Sequence, residues 1–192
     1  DIDRTVPFLV NAIVQNGGQT CSAGSRVLVQ ESVYDEVVSK LQERFLKLRA
    51  GSHEADLDCG PLISARQRER VSAFIKRAKS NSVPVLAEGK LDASAESNGF
   101  YVAPTLFGPV PRDSEIAREE VFGPILVVLP FTDEADAVKL ANDTDYGLIA
   151  AIWTSDGARQ RRMPAKLRCG QVFINCYGAG GGVELPFGGV GK

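Results

Sequence analysis

The run Ile125-Leu-Val-Val-Leu129 is apolar at every position. A segment this short and this continuous suits a strand covered on both faces, because neither side can be left to water. Thr132 can cap a helix after it that reaches Ala141. Strand followed by helix recurs along the chain, and that order gives an α/β fold: a mostly parallel sheet with helices on both faces, in three αβα layers.

The remaining elements follow the same rhythm. Val6, Leu9, Val10, Ile13 and Val14 recur at helical spacing after Asp3 or Thr5 as a cap, and the pattern stops at Gly17-Gly18. Arg26 to Gln30 is a short strand, and Ser32 opens a helix whose Val33, Val37, Val38, Leu41, Phe45 and Leu48 share a face until Gly51. Ser64 and Gln67 have capping-box spacing ahead of Val71, Phe74, Ile75 and Ala78. Val83 to Ala87 is a strand, and Gly89 to Gly99 a surface loop. Phe100 to Phe107 is extended but carries Pro104, which suits an edge strand. A short acidic helix from Ser114 to Glu120, a strand from Leu148 to Thr154, a helix from Asp156 to Leu167 and a strand from Gln171 to Asn175 complete the series. No internal repeat or linker divides it.

Composition narrows the partners. Among 192 residues, 22 Lys and Arg against 24 Asp and Glu give no pull toward nucleic acid or an anionic membrane. No apolar stretch approaches the ~20 residues of a spanning helix, and no secretion signal is present, so the chain reads as cytoplasmic. Cysteines 21, 59, 169 and 176 form neither a CxxC pair nor zinc spacing, which favours reduced thiols and no metal. The single histidine, His53, lies in a polar stretch with no orienting partner nearby and reads as a solvated loop residue rather than a base for a cysteine.

The segment Gln15-Asn-Gly-Gly-Gln-Thr-Cys21-Ser-Ala-Gly24 places one cysteine just past a helix end among small residues, where backbone amides can face whatever the sulfur attacks. A free cysteine is only a few per cent thiolate at pH 7, so a nucleophilic one needs help from its site. An inert, packed cysteine is the bland alternative. No GxGxxG links a strand to a helix: Gly180-Gly181-Gly182 follows a strand, but Val183-Glu184-Leu185-Pro186 cannot open a dinucleotide-binding helix.

Three separated blocks carry a resemblance across the whole chain. They are Gly18-Gln19-Thr20-Cys21, then Glu119-Glu120-Val121-Phe122-Gly123-Pro124, then Asn175-Cys176 followed by Pro186-Phe187-Gly188-Gly189. In their order and spacing the chain resembles the catalytic domain of the NAD(P)-dependent aldehyde dehydrogenase superfamily. The resemblance implies that Cys21 attacks an aldehyde to give a thiohemiacetal, that hydride passes to NAD or NADP, and that water releases a carboxylic acid from the resulting thioester. It implies that Glu120 accepts hydrogen bonds from the nicotinamide ribose, a task for an acceptor-only carboxylate, with Phe122 near the nicotinamide. It makes Asn175 and Phe187 substrate-binding residues, Phe187 as a wall of the aldehyde tunnel.

Read without the family, Glu119-Glu120 is a solvated helix end, Phe122 and Phe187 are core aromatics, and Asn175 is a polar strand end. The loop Gly178-Ala-Gly-Gly-Gly182 offers no bulky side chain to shape a pocket. The resemblance further implies that residues 1–192 are a fragment. The nucleotide-binding domain, the base glutamate, the oxyanion asparagine and the oligomerising strand fall outside it, the parent is a homodimer or homotetramer, and the isolated chain is inactive. Two alternatives remain open at this level: a CoA-acylating relative, and a non-catalytic binding module of the same superfamily.

Overall fold

All of Ile125 to Leu129 is buried, at the centre of a four-stranded sheet. The computed structural model describes residues 1–95, 98–177 and 186–190. In chain order its elements are α1 (Ile2–Val14), β1 (Arg26–Gln30), α2 (Tyr34–Phe45), β2 (Arg49–Ala50), α3 (Ala65–Ser80), β3 (Val85–Glu88), β4 (Lys90–Leu91), β5 (Thr105–Phe107), α4 (Glu115–Arg118), β6 (Ile125–Phe131), α5 (Glu134–Asn142), β7 (Ile149–Ile152), α6 (Gly157–Arg162) and β8 (Gln171–Ile174).

The sheet order is β1-β6-β5-β3, with β6 parallel to both neighbours and β3 antiparallel at the edge. Side chains alternate across β6 as strand geometry requires. Leu126 and Val128 join the core formed with α1 and α2, through Val10, Ile13, Leu41 and Phe45. Ile125, Val127 and Leu129 point the other way, into the core formed with α3, α4 and α5, through Val71, Phe74, Ile116 and Leu140. Two apolar cores on opposite faces of one sheet are the three layers expected. Each such side chain, fully buried, contributes ~1.5–3 kcal/mol.

Several boundaries differ from the sequence reading, each for a local reason. Asp1 caps α1, accepting from the Arg4 N–H at 3.2 Å, so the helix begins before Asp3 or Thr5. Asp133 rather than Thr132 caps α5, accepting from the Asp136 N–H at 2.9 Å. A 3₁₀ turn at Glu31–Val33 delays α2 to Tyr34 and leaves Val33 exposed. The Phe100 to Phe107 segment is a strand only at Thr105–Phe107, and it is interior, not at an edge. Pro104 lies just ahead of it, where no N–H is needed. The Pro104 carbonyl accepts from Gly89 N–H at 2.8 Å, and the ladder begins with Thr105 N–H donating to Pro124 O at 2.9 Å.

The sheet is also not continuous. β7 and β8 form a separate parallel pair, and β2 and β4 another. β1 and β7 both line a cleft of about 990 Å³, together with Phe8 and Leu9 of α1 and with Ala141 and Met163. The candidate site opens from this cleft.

Candidate active site

Cys21 reaches the cleft through a reversal that only a few residue types tolerate. After α1, Asn16, Gly17 and Gly18 take φ of 52°, 60° and 73° in succession. Left-handed backbone costs an ordinary side chain ~1–2 kcal/mol, and Gly and Asn visit it most readily. Gln19 then ties the reversal down. Its N–H and side-chain Nε2 both donate to Asn16 O, at 3.1 and 3.0 Å, while its Oε1 accepts from Ile63 N–H at 2.9 Å. A turn closed by Ala23 N–H donating to Thr20 O at 2.9 Å puts Cys21 at its apex, exposed. Gly24 N–H donating to Ala12 O at 3.1 Å pins the far arm of the turn onto α1. Among the described residues, no group accepts from the Cys21 N–H, which leaves that donor free for an oxyanion formed at the sulfur.

Glu120 comes from the opposite side. The sequence reading ends a helix there, but α4 stops at Arg118 with an extended Glu119 as its C-cap, so Glu120 lies beyond the helix. Its backbone is held at both ends: the N–H donates to Tyr146 Oη at 3.2 Å, and the C=O accepts from Arg70 Nη2 at 2.5 Å. Phe122 follows at φ 59°, and Gln67 Nε2 donates to the Phe122 carbonyl at 2.7 Å. A non-glycine residue in this region stores strain that its neighbours must hold in place. The Glu120 carboxylate has no hydrogen-bond or ion-pair partner among the described residues, and it lines the same cleft as Cys21. An exposed, unpaired, acceptor-only group with a fixed backbone fits a vicinal diol such as a ribose. Phe122 is half-buried and stands outside the residues that line the cleft.

Asn175 lines the cleft at φ 52°. Its amide is already engaged: Oδ1 accepts from Thr154 N–H and Nδ2 donates to Thr154 O, both at 2.9 Å. It thereby latches the ends of β7 and β8 together. Phe187 is 59% exposed and does not line the cleft. Its segment instead runs beside the start of β8, where Gln171 Nε2 donates to Pro186 O at 2.9 Å and Val190 N–H donates to Gly147 O at 3.0 Å. The glycine-rich loop at 178–182 lies outside the described residues.

Two tyrosines that sequence reasoning missed belong to the site. Tyr177 packs its ring over Gly24, so that a methyl group there would stand 3.3 Å from the ring. Burial first, and then negative charge on Cys21, push the Tyr177 phenol up to about 12. Tyr146 lines the cleft and touches both members of the Glu119-Glu120 pair. Adjacency to Asn175-Cys176 was the only signal for Tyr177. Tyr146 had none.

The other thiols differ from Cys21. Cys59 is buried, donates to Val14 O at 3.5 Å, and is pushed up to about 12 by burial. Cys169 is half-buried and also shifted up by burial. Cys176 is exposed and does not line the cleft. His53 sits exposed in a short turn capped by Ser52, away from the residues lining the cleft. Among the described residues there is no cluster of His, Cys, Asp or Glu able to hold a metal ion, and no helix is long and apolar enough to cross a membrane.

An exposed cysteine at a turn apex shares a cleft with a carboxylate that has no partner among the described residues, and this pair makes a candidate nucleophilic thiol site. The chain belongs to the aldehyde dehydrogenase family, whose family model matches residues 1–192. It is 38% identical over 179 residues to betaine aldehyde dehydrogenase of Bacillus subtilis, covering 92% of this chain and 36% of that protein. Its fold superposes on the crystal structure of a "Putative Aldehyde Dehydrogenase" from Burkholderia cenocepacia with a TM-score of 0.97 at 58% identity, covering 100% of this chain and 40% of that one. An NAD+ complex of aldehyde dehydrogenase from Bacillus cereus gives a TM-score of 0.91 at 36% identity, covering 100% of this chain and 38% of that one. The chain thus spans little more than a third of the length of the curated relatives it matches.

Proposed function

We propose that these residues supply the nucleophile of an NAD(P)-dependent aldehyde oxidation. The observation that carries the reading is the exposed Cys21 at its turn apex, its N–H without an acceptor among the described residues, in the cleft that Glu120 also lines. The Cys21 thiolate adds to the aldehyde carbon, and the carbonyl electron pair moves onto oxygen, where the Cys21 N–H stabilises it. Loss of hydride from that carbon leaves an acyl thioester on Cys21, and water then releases the carboxylic acid and restores the thiol. When bound, the nicotinamide cofactor is the hydride acceptor, as the NAD+ complex of the Bacillus cereus relative supports.

Glu120 would hold the ribose beside the nicotinamide, with Phe122 shaping the segment that presents Glu120. Asn175 sets the cleft's edge through Thr154, whereas Phe187, exposed and outside the cleft, would meet a substrate only beyond it. No described carboxylate is assigned as the base that activates water. With no strand-to-helix GxGxxG in the sequence to bind a dinucleotide, the 192 residues by themselves should hold no hydride acceptor and form no NAD(P)H.

The test is the C21A variant of the polypeptide that carries these residues, assayed with an aldehyde and NAD or NADP, without coenzyme A. NAD(P)H formation should fall to background while the thermal midpoint holds. Turnover surviving in C21A would overturn the assignment. An acid product formed without coenzyme A separates hydrolysis from acyl transfer.

A further inference from the structure

The Glu119-Glu120 pair divides its work through a third residue. Tyr146 Oη accepts from the Glu120 N–H at 3.2 Å and donates to Glu119 Oε2 at 3.2 Å. One hydroxyl thus uses its acceptor lone pair on the backbone of one glutamate and its proton on the side chain of the other. Arg70 Nη2 holds the Glu120 carbonyl from α3. Glu120 is therefore fixed through its backbone from two sides, and its carboxylate has no partner among the described residues. Glu119 is the converse, a carboxylate spent on Tyr146.

We infer that Tyr146 is a positioning residue for Glu120, and that Glu119 serves the cofactor site only by anchoring Tyr146. The inference rests on the assignment of Glu120 to the cofactor ribose. A segment outside any helix or strand, such as Glu119 to Val121, would otherwise sample other backbone angles, and a diol contact needs the carboxylate held to a fraction of an ångström. The Tyr146 hydroxyl fixes the amide at the start of that residue. Without it, binding the ribose must also order the segment.

The experiment measures cofactor KM and kcat in the complete enzyme for Y146F, E119A, E119Q, the double variant Y146F/E119A, and E120A. Y146F should raise cofactor KM about 3- to 10-fold, the range for losing one hydrogen bond, with kcat within about twofold. E119A should do the same, and E119Q, whose amide oxygen still accepts from Tyr146, should stay near the parent. Y146F/E119A should be no worse than the worse single variant, because both break one chain of contacts. A purely structural role would lower the folded fraction, and with it apparent kcat, at constant KM. Should Y146F fold poorly, the surface change E119A gives the same reading. If E120A raises KM but Y146F and E119A do not, Tyr146 is not a positioning residue and the Glu120 assignment stands. If E120A leaves KM unchanged, the Glu120 assignment fails and the role of Tyr146 with it.

Discussion

Gly18 lies against the backbone of Gly123: a methyl group built on Gly18 would stand 2.0 Å from the Gly123 carbonyl oxygen. The reversal that delivers Cys21 and the segment that carries Glu120 therefore meet backbone to backbone, with no side chain between them. This contact joins the two halves of the site.

That contact separates two neighbouring glycines. Gly17 has φ 60°, yet a methyl group on it would come no closer than 3.5 Å to any neighbour, whereas Gly18 at φ 73° has the Gly123 carbonyl in the way. G17A should cost ~1–2 kcal/mol from backbone conformation alone. G18A should cost several-fold more, or fail to give folded protein, because a backbone carbonyl must move. Urea denaturation of the two variants checks this, and equal losses would show that the Gly18 contact carries no weight.

Asn175 offers a test of hydrogen-bond polarity. Its amide meets one donor and one acceptor of Thr154, each at 2.9 Å. N175A loses both contacts. N175D keeps the shape but turns a carboxylate oxygen toward the Thr154 carbonyl, and should be the more destabilising of the two, by ~1–3 kcal/mol relative to the parent. Chemical denaturation at neutral pH distinguishes the order.

Glu134 predicts an acid limb in stability. It accepts from Arg162 and Lys166, with Arg159 close by, and tethers α6 and the turn after it to α5. Hydrogen bonding from Arg162, then from Lys166, lowers its pKa from 4.5 to about 2. The folded value lies below the unfolded one, so this contribution is complete above pH 4.5 and is lost as pH falls toward 2. Asp136, bonded first by Arg112 and then by Thr132 N–H, shifts in the same direction. The urea midpoint of the parent should decline over this window, and E134Q should flatten the decline. An unchanged slope in E134Q would remove Glu134 from the explanation.

Thiol chemistry should sort the cysteines by environment. Under iodoacetamide at neutral pH, the exposed Cys21 and Cys176 should be modified in the folded protein, whereas Cys59, buried and pushed up to about 12, should react only as the chain unfolds. Peptide mass mapping over time reads all of them at once. Rapid labelling of Cys59 would contradict its packing against Val14.

The legible parts of this chain are those whose physics is local. β6 announced itself because an apolar run without polar relief has few places to go, and Cys21 and Glu120 stood inside contiguous blocks. Pro104 misled because a proline just ahead of a strand looks, in sequence, like one inside it. The Ser64 and Gln67 spacing was half right. Ser64 does accept from Gln67 N–H at 3.2 Å, but the Gln67 side chain leaves the cap and reaches Phe122, 55 residues away. Tyr146 was invisible, and Tyr177 nearly so, for the same reason. Each matters through a partner brought near by the path of the chain, and no pattern within a helix or strand encodes that meeting.

β1 and β7 both line the cleft, and the outer edge of each carries main-chain donors and acceptors with no sheet partner among the described residues. Such a margin is a template for pairing with any extended peptide, including one from another molecule. The cleft that holds Cys21 is thus bordered by two strand edges open to pairing, and concentrated solutions of the 192-residue polypeptide should associate along them.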